Sequence, residues 1–460
     1  MPARVSLINL GCPKNLVDAE VMLGQMHSRG FELTGDPTEA DVVIVNTCGF
    51  LAASVRESLE TLAAVSRLKA TGRCRAVIAA GCMAQRYGDA LAEALPEVDG
   101  IVGVGQALAL PEVIERALAG DRPLHLPPPA AGFEAYDRRL PSTPRWTAYV
   151  KLSEGCDRHC SFCAIPAIRG PMVSRPAEAI LREVEALVAR GVREVILIGQ
   201  DPNRYGVDRG EGHALPRLLE ALAAIPDLRW IRLMYLFPDR HLVPILATAA
   251  RLPRVCAYVD VPMQHASPAI LRAMNRPGSG DEFLAMLAEY RSARPEAFVR
   301  STFIVGFPGE TEAHFRELLD FLAAAELDWV GAFEYSREEG TPAAARRPVA
   351  RRVRRERYHR LMSLQREITA RRLAWRVGSR AEAVIERIDP EGAVGRIYGQ
   401  APEIDGETWF EAPLPADVRP GDFVEVAITG AREYDLVARV ERLLHRPPLP
   451  APRELIELQV

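Results

Sequence analysis

The sequence predicts a multidomain α/β protein. A parallel α/β sheet domain precedes a partial TIM-type barrel of six βα units and a small antiparallel, OB-like β-barrel. Apolar runs alternate with helical periods up to about residue 120 and again from residue 146, which is typical of parallel βαβ units. From residue 378, short β-branched strands alternate with turn residues, which favours the small barrel. A chain of 460 residues is also long enough for about three domains.

The composition indicates a globular protein of a reducing compartment. Hydrophobic residues make up 48% of the chain, yet no apolar run is long enough to span a membrane, and the first residues lack the apolar stretch of a signal peptide. We therefore expect a soluble, cytoplasmic protein with no membrane partner. In such a compartment the eight cysteines suit metal binding or catalysis better than disulfides. The net charge of −4 does not indicate nucleic-acid binding.

In the first predicted domain, residues 1–120, three cysteines come one or two residues after predicted strands. We call Cys12, Cys48 and Cys82 the first cysteine set. Because the carboxyl ends of parallel strands meet at one edge of a sheet, these thiols are expected to converge. The pattern predicts an iron–sulfur cluster with three cysteine ligands and one open iron, and three buried structural cysteines are the alternative. The expected strands are 5–10, 41–46 and 76–80, and the expected helices are 15–29, 51–70 and 111–119.

Residues 121–145 are rich in proline and show neither a helical nor a strand period, so an extended linker is expected there. The second predicted domain, residues 146–376, then repeats a strand followed by a helix six times. Six such units suit a partial TIM-type barrel that is open on one side, with its site at the carboxyl ends of the strands. The expected barrel strands are 147–152, 194–199, 230–235, 257–261, 300–305 and 329–335.

The loop after the first barrel strand carries the pattern C-x3-C-x2-C. We call Cys156, Cys160 and Cys163 the second cysteine set. Three thiolates within eight residues can hold three corners of a cubane iron–sulfur cluster and leave the fourth iron open. An electron-carrying ferredoxin would need a fourth cysteine nearby, and a zinc site usually closes with four ligands. A zinc knuckle is the alternative to the open cluster.

Two other strand ends of the predicted barrel carry glycine motifs, Gly199-Gln200-Asp201 and Gly306-Phe307-Pro308-Gly309-Glu310. Their position opposite the cysteine loop favours a contact with a cofactor, and a plain turn is the alternative. The candidate cofactor-binding residues at these ends are Gly199, Gln200, Gly306, Pro308 and Gly309.

The two stretches that follow the barrel have opposite charge. Residues 345–376 are predicted to be helical and contain twelve arginines and two glutamates, which leaves a solvated helix or a contact with phosphate or RNA open. Residues 377–446, the small barrel, contain fourteen acidic residues and eight arginines. An acidic barrel should repel RNA and attract a basic protein. Residues 447–460 are expected to form an extended tail.

Together these motifs resemble the radical S-adenosylmethionine (SAM) methylthiotransferases, and the resemblance covers nearly the whole chain. It implies that the middle domain is a radical SAM barrel and the last one a TRAM-type barrel. Pro202 and Asn203 are a departure, since the family tends to have threonines there. The segments most similar to the RimO-type branch are GCPKNLVD at 11–18, SEGCD at 153–157, AIPAIRG at 164–170 and APEIDG at 401–406.

Members of that branch add a methylthio group to the β-carbon of an aspartate in small-subunit ribosomal protein number twelve. The resemblance implies two 4Fe–4S clusters and two SAM molecules. The cluster of the second cysteine set would cleave SAM to a radical, with Phe162 placing the adenine, and that of the first set would hold the transferred sulfur. It implies no catalytic residue beyond the cluster ligands. Cys74 and Cys256 are left over and are expected to be structural.

The main alternative is a tRNA adenosine methylthiotransferase of the MiaB-like sister group, whose members tend to carry Gln-Met-Asn where this chain has Pro13, Lys14 and Asn15. A non-enzymatic iron–sulfur carrier or redox sensor would explain neither the two open iron sites nor the barrel. The expected partners are the ribosomal protein, free or in the ribosome, and an electron donor such as flavodoxin or ferredoxin. RNA contact through the arginine-rich helix is a further expectation, and the protein is expected to be a monomer.

Overall fold

The structure is a computed structural model in which residues 2–129 and 131–448 are described. It confirms the predicted multidomain α/β fold, since two six-stranded parallel sheets precede a closed barrel of five strands. The tail expected at 447–460 lies, from residue 449 onwards, outside the described residues. No helix in the described part of the chain is both long and apolar enough to cross a membrane.

The first sheet has its strands in the order β2-β1-β3-β4-β5-β6. Its strands are β1 (Arg4–Asn9), β2 (Glu32–Leu33), β3 (Val42–Thr47), β4 (Ala76–Gly81), β5 (Gly100–Val102) and β6 (Leu124–His125). Its helices are α1 (Pro13–Ser28), α2 (Ala52–Ser66), α3 (Leu68–Thr71), α4 (Cys82–Ala94) and α5 (Leu110–Leu118). Every residue of β3 and β4 is buried, because helices cover both faces of the sheet. The three predicted strands are confirmed to within one residue at each end.

Residues 121–145 are more ordered than the predicted linker. β6 pairs in parallel with β5, and Phe133–Arg138 form a 3-10 helix that contacts α1 through a bond from Gln25 Nε2 to the Ala135 carbonyl. The prediction of an extended stretch without regular structure is wrong here. A two-residue strand and a short helical turn are too short to show a period in a sequence.

The second sheet has the order β14-β13-β12-β11-β10-β7 and is parallel throughout, which confirms the predicted six βα units. Its strands, together with the hairpin β8–β9, are β7 (Thr147–Lys151), β8 (Ser153–Glu154), β9 (Val173–Ser174), β10 (Glu194–Ile198), β11 (Trp230–Leu233), β12 (Val255–Asp260), β13 (Phe298–Val305) and β14 (Trp329–Glu334). Its helices are α6 (Ile165–Arg169), α7 (Ala177–Ala189), α8 (Leu215–Ala223), α9 (Leu242–Arg251), α10 (Pro268–Ala273), α11 (Gly280–Ala293), α12 (Glu312–Ala325) and α13 (Arg351–Arg376).

The terminal barrel is closed in the order β15-β16-β17-β19-β18. One of its pairs, β17 with β19, is parallel, so the barrel is not wholly antiparallel as predicted. The reason is that a non-consecutive strand closes it, and strand direction then follows from the connection rather than from a hairpin. Its strands are β15 (Arg380–Asp389), β16 (Gly392–Ile397), β17 (Thr408–Phe410), β18 (Phe423–Arg432) and β19 (Asp435–His445).

This small barrel packs against the first residues of the strands of the second sheet. Glu194, the first residue of β10, accepts a bond from Arg396 of β16 at 2.7 Å and one from Arg232 at 2.8 Å. Trp329, which begins β14, donates from its indole to the Gly399 carbonyl at 2.8 Å. Burial would raise the pKa of Glu194, but the two arginines lower it to about 2. The terminal barrel therefore closes the end of the six-stranded sheet that lies opposite the cysteine loop.

The arginine-rich helix α13 carries two groups of arginines, some paired with buried carboxylates and others exposed on the surface. Several point inward, as where Arg357 pairs with Glu310 at 2.8 Å and Arg372 pairs with Asp328 at 3.1 Å. An RNA contact through the exposed ones stays a prediction. The exposed arginines of this helix are Arg351, Arg352, Arg355, Arg366 and Arg371.

Candidate functional site

The structure brings the three loops of the first cysteine set together at the carboxyl edge of the first sheet. Cys12 is the N-cap of α1, Cys48 directly follows β3, and Cys82 is the first residue of α4. A Cβ placed on Gly11 would lie only 3.1 Å from Cys48 Sγ, and one on Gly49 would lie 2.7 Å from the backbone of α4. The glycines beside these cysteines thus allow the three loops to touch.

The thiols of this set differ in exposure. Cys12 is exposed, whereas Cys48 and Cys82 are buried. Burial raises the pKa of Cys82 to about 12 and also raises the pKa of Cys48. Both thiols are therefore protonated at neutral pH without a metal, and an iron–sulfur cluster would displace those protons on binding.

The second cysteine set lies on the loop that follows β7 and β8. Gly155, at a φ of +72°, turns the chain into this loop, and a Cβ there would lie 2.0 Å from the Pro171 carbonyl oxygen. Only glycine fits that approach. The loop is tied on both sides by main-chain bonds, from Cys156 N to Gly170 O and from Ser161 N to Met274 O.

Arginines surround the second cysteine set. Arg276 Nη1 lies 3.6 Å from Cys160 Sγ, and Arg158 pairs with both Asp201 and Asp239 at 2.6 Å. Arg276 would offset part of the charge of three thiolates, whereas the charge of Arg158 is already matched by its two aspartates. Burial raises the pKa of Cys163 to about 12, against the opposing effect of Arg276.

Of the predicted cofactor-contacting residues, Phe162 and the glycine motif after β13 do lie together. The ring of Phe162 meets the ring of Phe307 edge to face, with centroids 6.5 Å apart. The N–H of Gly306 donates to Glu310 Oε2 at 2.6 Å, which holds the loop in place. Pro308 is buried and Gly309 is exposed, so only part of this motif can line the space beside Phe162.

Gly199 and Gln200, at the end of β10, lie against the hairpin β8–β9. A Cβ on Gly199 would be 3.0 Å from Ser153 Oγ, and Gln200 Nε2 donates to Glu154 Oε1 at 2.8 Å. Ser153 Oγ and Gln200 Oε1 are buried and have no hydrogen-bond partner within the described ranges. Two such atoms beside the cysteine loop are suited to satisfy polar groups of a bound cofactor.

One cysteine of the first set lies against the segment that follows the second set. Cys82 packs in one apolar cluster with Ala164, which directly follows Cys163. Arg169 spans the gap, since its Nη2 donates to Cys82 Sγ at 3.2 Å and to Asn15 Oδ1 at 2.6 Å.

A buried ion network, not predicted from the sequence, joins the two domains at this point. Arg169 contacts Glu154 at 2.8 Å and Asp18 at 3.0 Å, while Lys151 contacts Glu154 at 2.7 Å and also pairs with Asp18. Burial would raise the pKa of Glu154, but Arg169 and Lys151 lower it to about 2. Asp18, Glu154 and Arg169 all lie in the motifs that carried the family resemblance, and that was the one available signal.

Lys14 is a second residue of the site to which the sequence analysis assigned no role. Its Nζ lies 2.8 Å from the ring centroid of Tyr235, which follows β11 with a positive φ of 64°. Burial lowers the pKa of Lys14 to about 8. The N–H of Tyr235 donates to Asp260 Oδ2 at 3.0 Å, so the ring under the ammonium is fixed.

A cavity of about 450 Å³ reaches the second cysteine set from the surface. Cys160 and Cys163 line it together with Arg86 of α4 and Glu339. This cavity gives a partner access to one side of the cysteine loop.

Three family models match successive parts of the chain. Residues 4–103 match the uncharacterized protein family UPF0004, residues 150–322 the radical SAM superfamily, and residues 377–440 the TRAM domain. The chain is 45% identical to the ribosomal protein uS12 methylthiotransferase RimO of Desulforamulus reducens, over 96% of this chain and 100% of that protein. The protein of the same name in Geobacter sulfurreducens is 42% identical, over 95% of this chain and 98% of its own length. The chain belongs to this family.

As a RimO-type radical SAM methylthiotransferase, the chain is a transferase enzyme. Its fold is similar to that of the radical SAM methyltransferase TsrM from Kitasatospora setae, solved with tryptophan and a SAM analogue. That likeness has a TM-score of 0.56 and 16% identity, and it covers 80% of this chain and 89% of that one. At such low identity the likeness concerns the fold alone.

The residues of this RimO-type site fit iron–sulfur clusters by their chemistry. Each cysteine set offers three thiols, a glycine that permits close approach, and an arginine near a sulfur atom. Within residues 2–129 and 131–448, no three His, Cys, Asp or Glu side chains are placed to hold a single metal ion. Each cysteine of a cubane cluster binds a different iron, so its ligands stand farther apart than those of one ion.

Proposed function

We propose that this enzyme adds a methylthio group to the β-carbon of an aspartate in ribosomal protein uS12, using two 4Fe–4S clusters and two SAM molecules. The observation that supports the proposal is that Arg169, six residues after Cys163, donates to Cys82 of the first set. The chain is also related over nearly its full length to proteins named for that activity. The proposed domains are 1–120, 146–376 and 377–446, joined through 121–145. A ribosomal substrate implies a cytoplasmic site of action.

The chemistry requires a cofactor. The C–H bond beside a carboxylate has no useful acidity, so an acid–base pair cannot exchange its hydrogen for sulfur. When bound, the clusters and SAM would supply radical chemistry and the transferred sulfur. We assign SAM to the second cysteine set and the transferred sulfur to the first.

The protein's own part is to hold and enclose these groups. The main-chain bonds of Cys156 and Ser161 fix the loop of the second set, and Phe162 against Phe307 makes one apolar wall beside it. Gln200 Oε1 and Ser153 Oγ would take up polar groups of SAM. The network around Arg169 would keep the two cysteine sets in fixed relation and exclude water from the gap between them.

The position of the acidic TRAM barrel limits how it can serve uS12. Glu194 lies at the start of β10, and the barrel contacts it there, whereas the site lies beyond the strand's other end. Five residues of strand span about 17 Å. The acidic barrel would therefore contact a part of the basic substrate remote from the modified aspartate.

We propose that an acidic electron donor of low reduction potential, such as flavodoxin or ferredoxin, reduces the cluster of the second cysteine set. The donor would reach that cluster through the cavity beside Cys160 and Cys163. Those two cysteines are partly exposed, and Arg86 and Arg158 stand among the lining residues. A chain that acts as a monomer meets these requirements, because both cysteine sets come from one chain.

The decisive experiment offers two substrates to one preparation. Clusters are reconstituted anaerobically, SAM, reductant and sulfide are added, and purified uS12 and bulk tRNA are supplied in parallel. Mass spectrometry then reads methylthio addition, and peptide mapping locates it. We expect modification of one aspartate of uS12 and none of tRNA.

If only tRNA is modified, the substrate is an adenosine of tRNA, as in MiaB-like enzymes, and not uS12. The proposed two-cluster chemistry would still stand. Failure to cleave SAM at all would refute the proposed role of the second cysteine set. A chain with all six cysteines changed to alanine is the blank for both readings.

A further inference from the structure

Lys14 is a buried cation without an anionic contact in the part of the chain that the structure describes. Lys14 is only 8% exposed, and its Nζ lies over the face of the Tyr235 ring. An aromatic face attracts an ammonium group, but it does not neutralise its charge. A lysine buried to this extent is almost always paired.

The other cations near Lys14 all have carboxylate partners. Arg300 pairs with Asp260 and with Asp405, each at 3.3 Å. Lys151 and Arg169 share Asp18 and Glu154, as described above. These carboxylates are thereby engaged by other residues. Within the described ranges, Lys14 senses the charge of Asp260 but has no carboxylate in contact with its ammonium.

The local backbone strengthens the positive potential at this position. Lys14 is the second residue of α1, whose N-cap Cys12 makes no side-chain capping bond and whose first turn contains no acidic residue. The N-terminus of a helix carries a partial positive charge, so a lysine there is unfavourable unless an anion joins it. The helix end and the ammonium therefore favour an anion at the same place.

The composition of the chain makes the lysine itself informative. Of 57 basic residues only three are lysines, namely Lys14, Lys69 and Lys151. Lys69 forms a pair with Asp99 at 2.9 Å on the outside of the first domain, whereas the other two lie at the site. An ammonium is a compact point charge on a flexible stem, whereas the guanidinium of arginine is planar and presents its donors in a rigid fork.

We propose that Lys14 binds the side-chain carboxylate of the substrate aspartate. The inference rests on the proposed function and names the group that selects the residue to be modified. Lys14 lies between Cys12 and Tyr235, that is, between the first cysteine set and a strand end of the barrel. The carboxylate carbon of aspartate is bonded directly to the β-carbon, so a fixed carboxylate also fixes the reacting carbon.

An alternative use of the charge is to balance the cluster of the first set, because Lys14 is two residues from Cys12. The two uses differ in what they depend on. A role at the cluster would not respond to the substrate's carboxylate, whereas a carboxylate contact disappears when that aspartate becomes asparagine. The experiment is therefore a double-mutant cycle on binding.

The cycle compares the reconstituted full-length enzyme with its Lys14→Met variant, which keeps the length and apolar stem of the side chain. Each is titrated anaerobically, without reductant, with uS12 and with uS12 in which the aspartate modified by the wild-type enzyme is changed to asparagine. Lys14→Arg tests rescue by charge. Lys69→Met is the matched control, since it removes a lysine away from the site.

We expect Lys14→Met to weaken binding of unmodified uS12 by about tenfold to a hundredfold, as for a hydrogen bond to a charged group. The same change should have less than a twofold effect on the asparagine variant, and Lys14→Arg should restore part of the loss. Lys69→Met should match the wild type. Iron content and the visible spectrum should not change in any variant.

Equal losses with both forms of uS12 would overturn the proposal, and so would a change in iron content confined to Lys14→Met. If the wild-type enzyme modifies no aspartate of uS12, the proposed function fails first and the carboxylate contact fails with it. If modification occurs and the cycle shows no coupling, only the role of Lys14 is refuted.

Discussion

The two cysteine sets present the same three thiols by different means. The second set lies within eight residues of one loop, and main-chain bonds to Gly170 and Met274 hold that loop within its own domain. The first set comes from three strand ends, and its thiols meet only because β1, β3 and β4 are neighbours in one sheet. A cluster on the second set therefore depends on a loop, and a cluster on the first depends on the fold of a whole domain.

Because the two sets are held differently, we expect that a substitution can impair the function of one set without the other. A change in one loop should remove the function of one set and spare the other. A change in the network between the sets should affect both.

The largest effect is expected from the ligands themselves. Cys160→Ala should abolish formation of 5′-deoxyadenosine from SAM, whereas Cys48→Ala should leave it intact and abolish only methylthio transfer. Both products are measured from one anaerobic reaction by mass spectrometry, with iron content as a second readout. Cys74→Ala is the control, because Cys74 is buried ahead of β4 and belongs to neither set. Loss of deoxyadenosine in Cys48→Ala would show that the two sets act as one site.

Arg169→Ala should lower the free energy of unfolding by about 3–5 kcal/mol, the cost of removing one partner from a buried ion pair. The change leaves Glu154 and Asp18 with Lys151 as their remaining cation. Urea unfolding of the protein before reconstitution measures the loss, and iron content should then fall at both sets.

Arg204→Ala is the matched control for that change. Arg204 lies 3.9 Å from Asp157, and both side chains are about one third exposed. Its removal should cost less than about 1 kcal/mol. Equal effects of the two substitutions would contradict the bridging role of Arg169.

Glu310, which holds the loop of Gly306 and Phe307, gives the free energy of unfolding a pH dependence. Burial raises the pKa of Glu310 from 4.5 to about 7, against the opposing effect of Arg357 and of the N–H groups of Gly306 and Phe307. The folded protein thus holds a proton that the unfolded chain releases between pH 4.5 and 7. The stability associated with this proton is complete below pH 4.5 and is lost as the pH rises to 7.

That shift corresponds to about 3 kcal/mol. The free energy of unfolding of the wild type should therefore fall by about that amount relative to Glu310→Gln between pH 4.5 and 7.5. Urea unfolding of both proteins at several pH values measures the difference. Parallel curves would mean that Glu310 is not held at a raised pKa.

The smallest effect is expected from Gly49, the glycine that follows Cys48 of the first cysteine set. Gly49→Ala would place a Cβ 2.7 Å from the backbone of Met83 and force the loop of Cys48 away from α4. Overpacking of this kind costs about 1–3 kcal/mol. Iron content should fall by about half, since one of two four-iron clusters is affected, while deoxyadenosine formation persists. Gly210→Ala, which has open space around it, should leave the iron content unchanged.

Most of the strands that the sequence predicted share one physical property. The three main strands of the first sheet and the barrel strands β7, β10, β11 and β12 are almost wholly buried, so each stands out as a mostly apolar run. The other two barrel strands, β13 and β14, are only partly buried. The second cysteine set was visible because its spacing is local. The first set required the topological argument that strand ends converge, and the contacts of Gly11 and Gly49 are consistent with it.

The parts that the sequence did not predict depend on partners far along the chain. Arg169 meets Asn15 and Asp18 across more than 150 residues, and Lys14 meets Tyr235 from another domain. A charged residue in a sequence gives no sign of whether it will be buried or what it will face. The same holds for the ordered piece at Phe133–Arg138, whose burial depends on α1 rather than on its own pattern.

The closure of the barrel by the TRAM domain has a consequence for biosynthesis. Glu194 and Arg396 are 202 residues apart in the sequence. During translation, the carboxylate of Glu194 is therefore present long before the arginine that pairs with it has been added. Until the last domain leaves the ribosomal tunnel, Trp230, Phe298 and Trp329 at the strand starts lack the surface that covers them in the finished molecule. Translation that stops before β15 therefore yields a chain with an exposed apolar end, and such chains are prone to aggregation and suited to capture by chaperones.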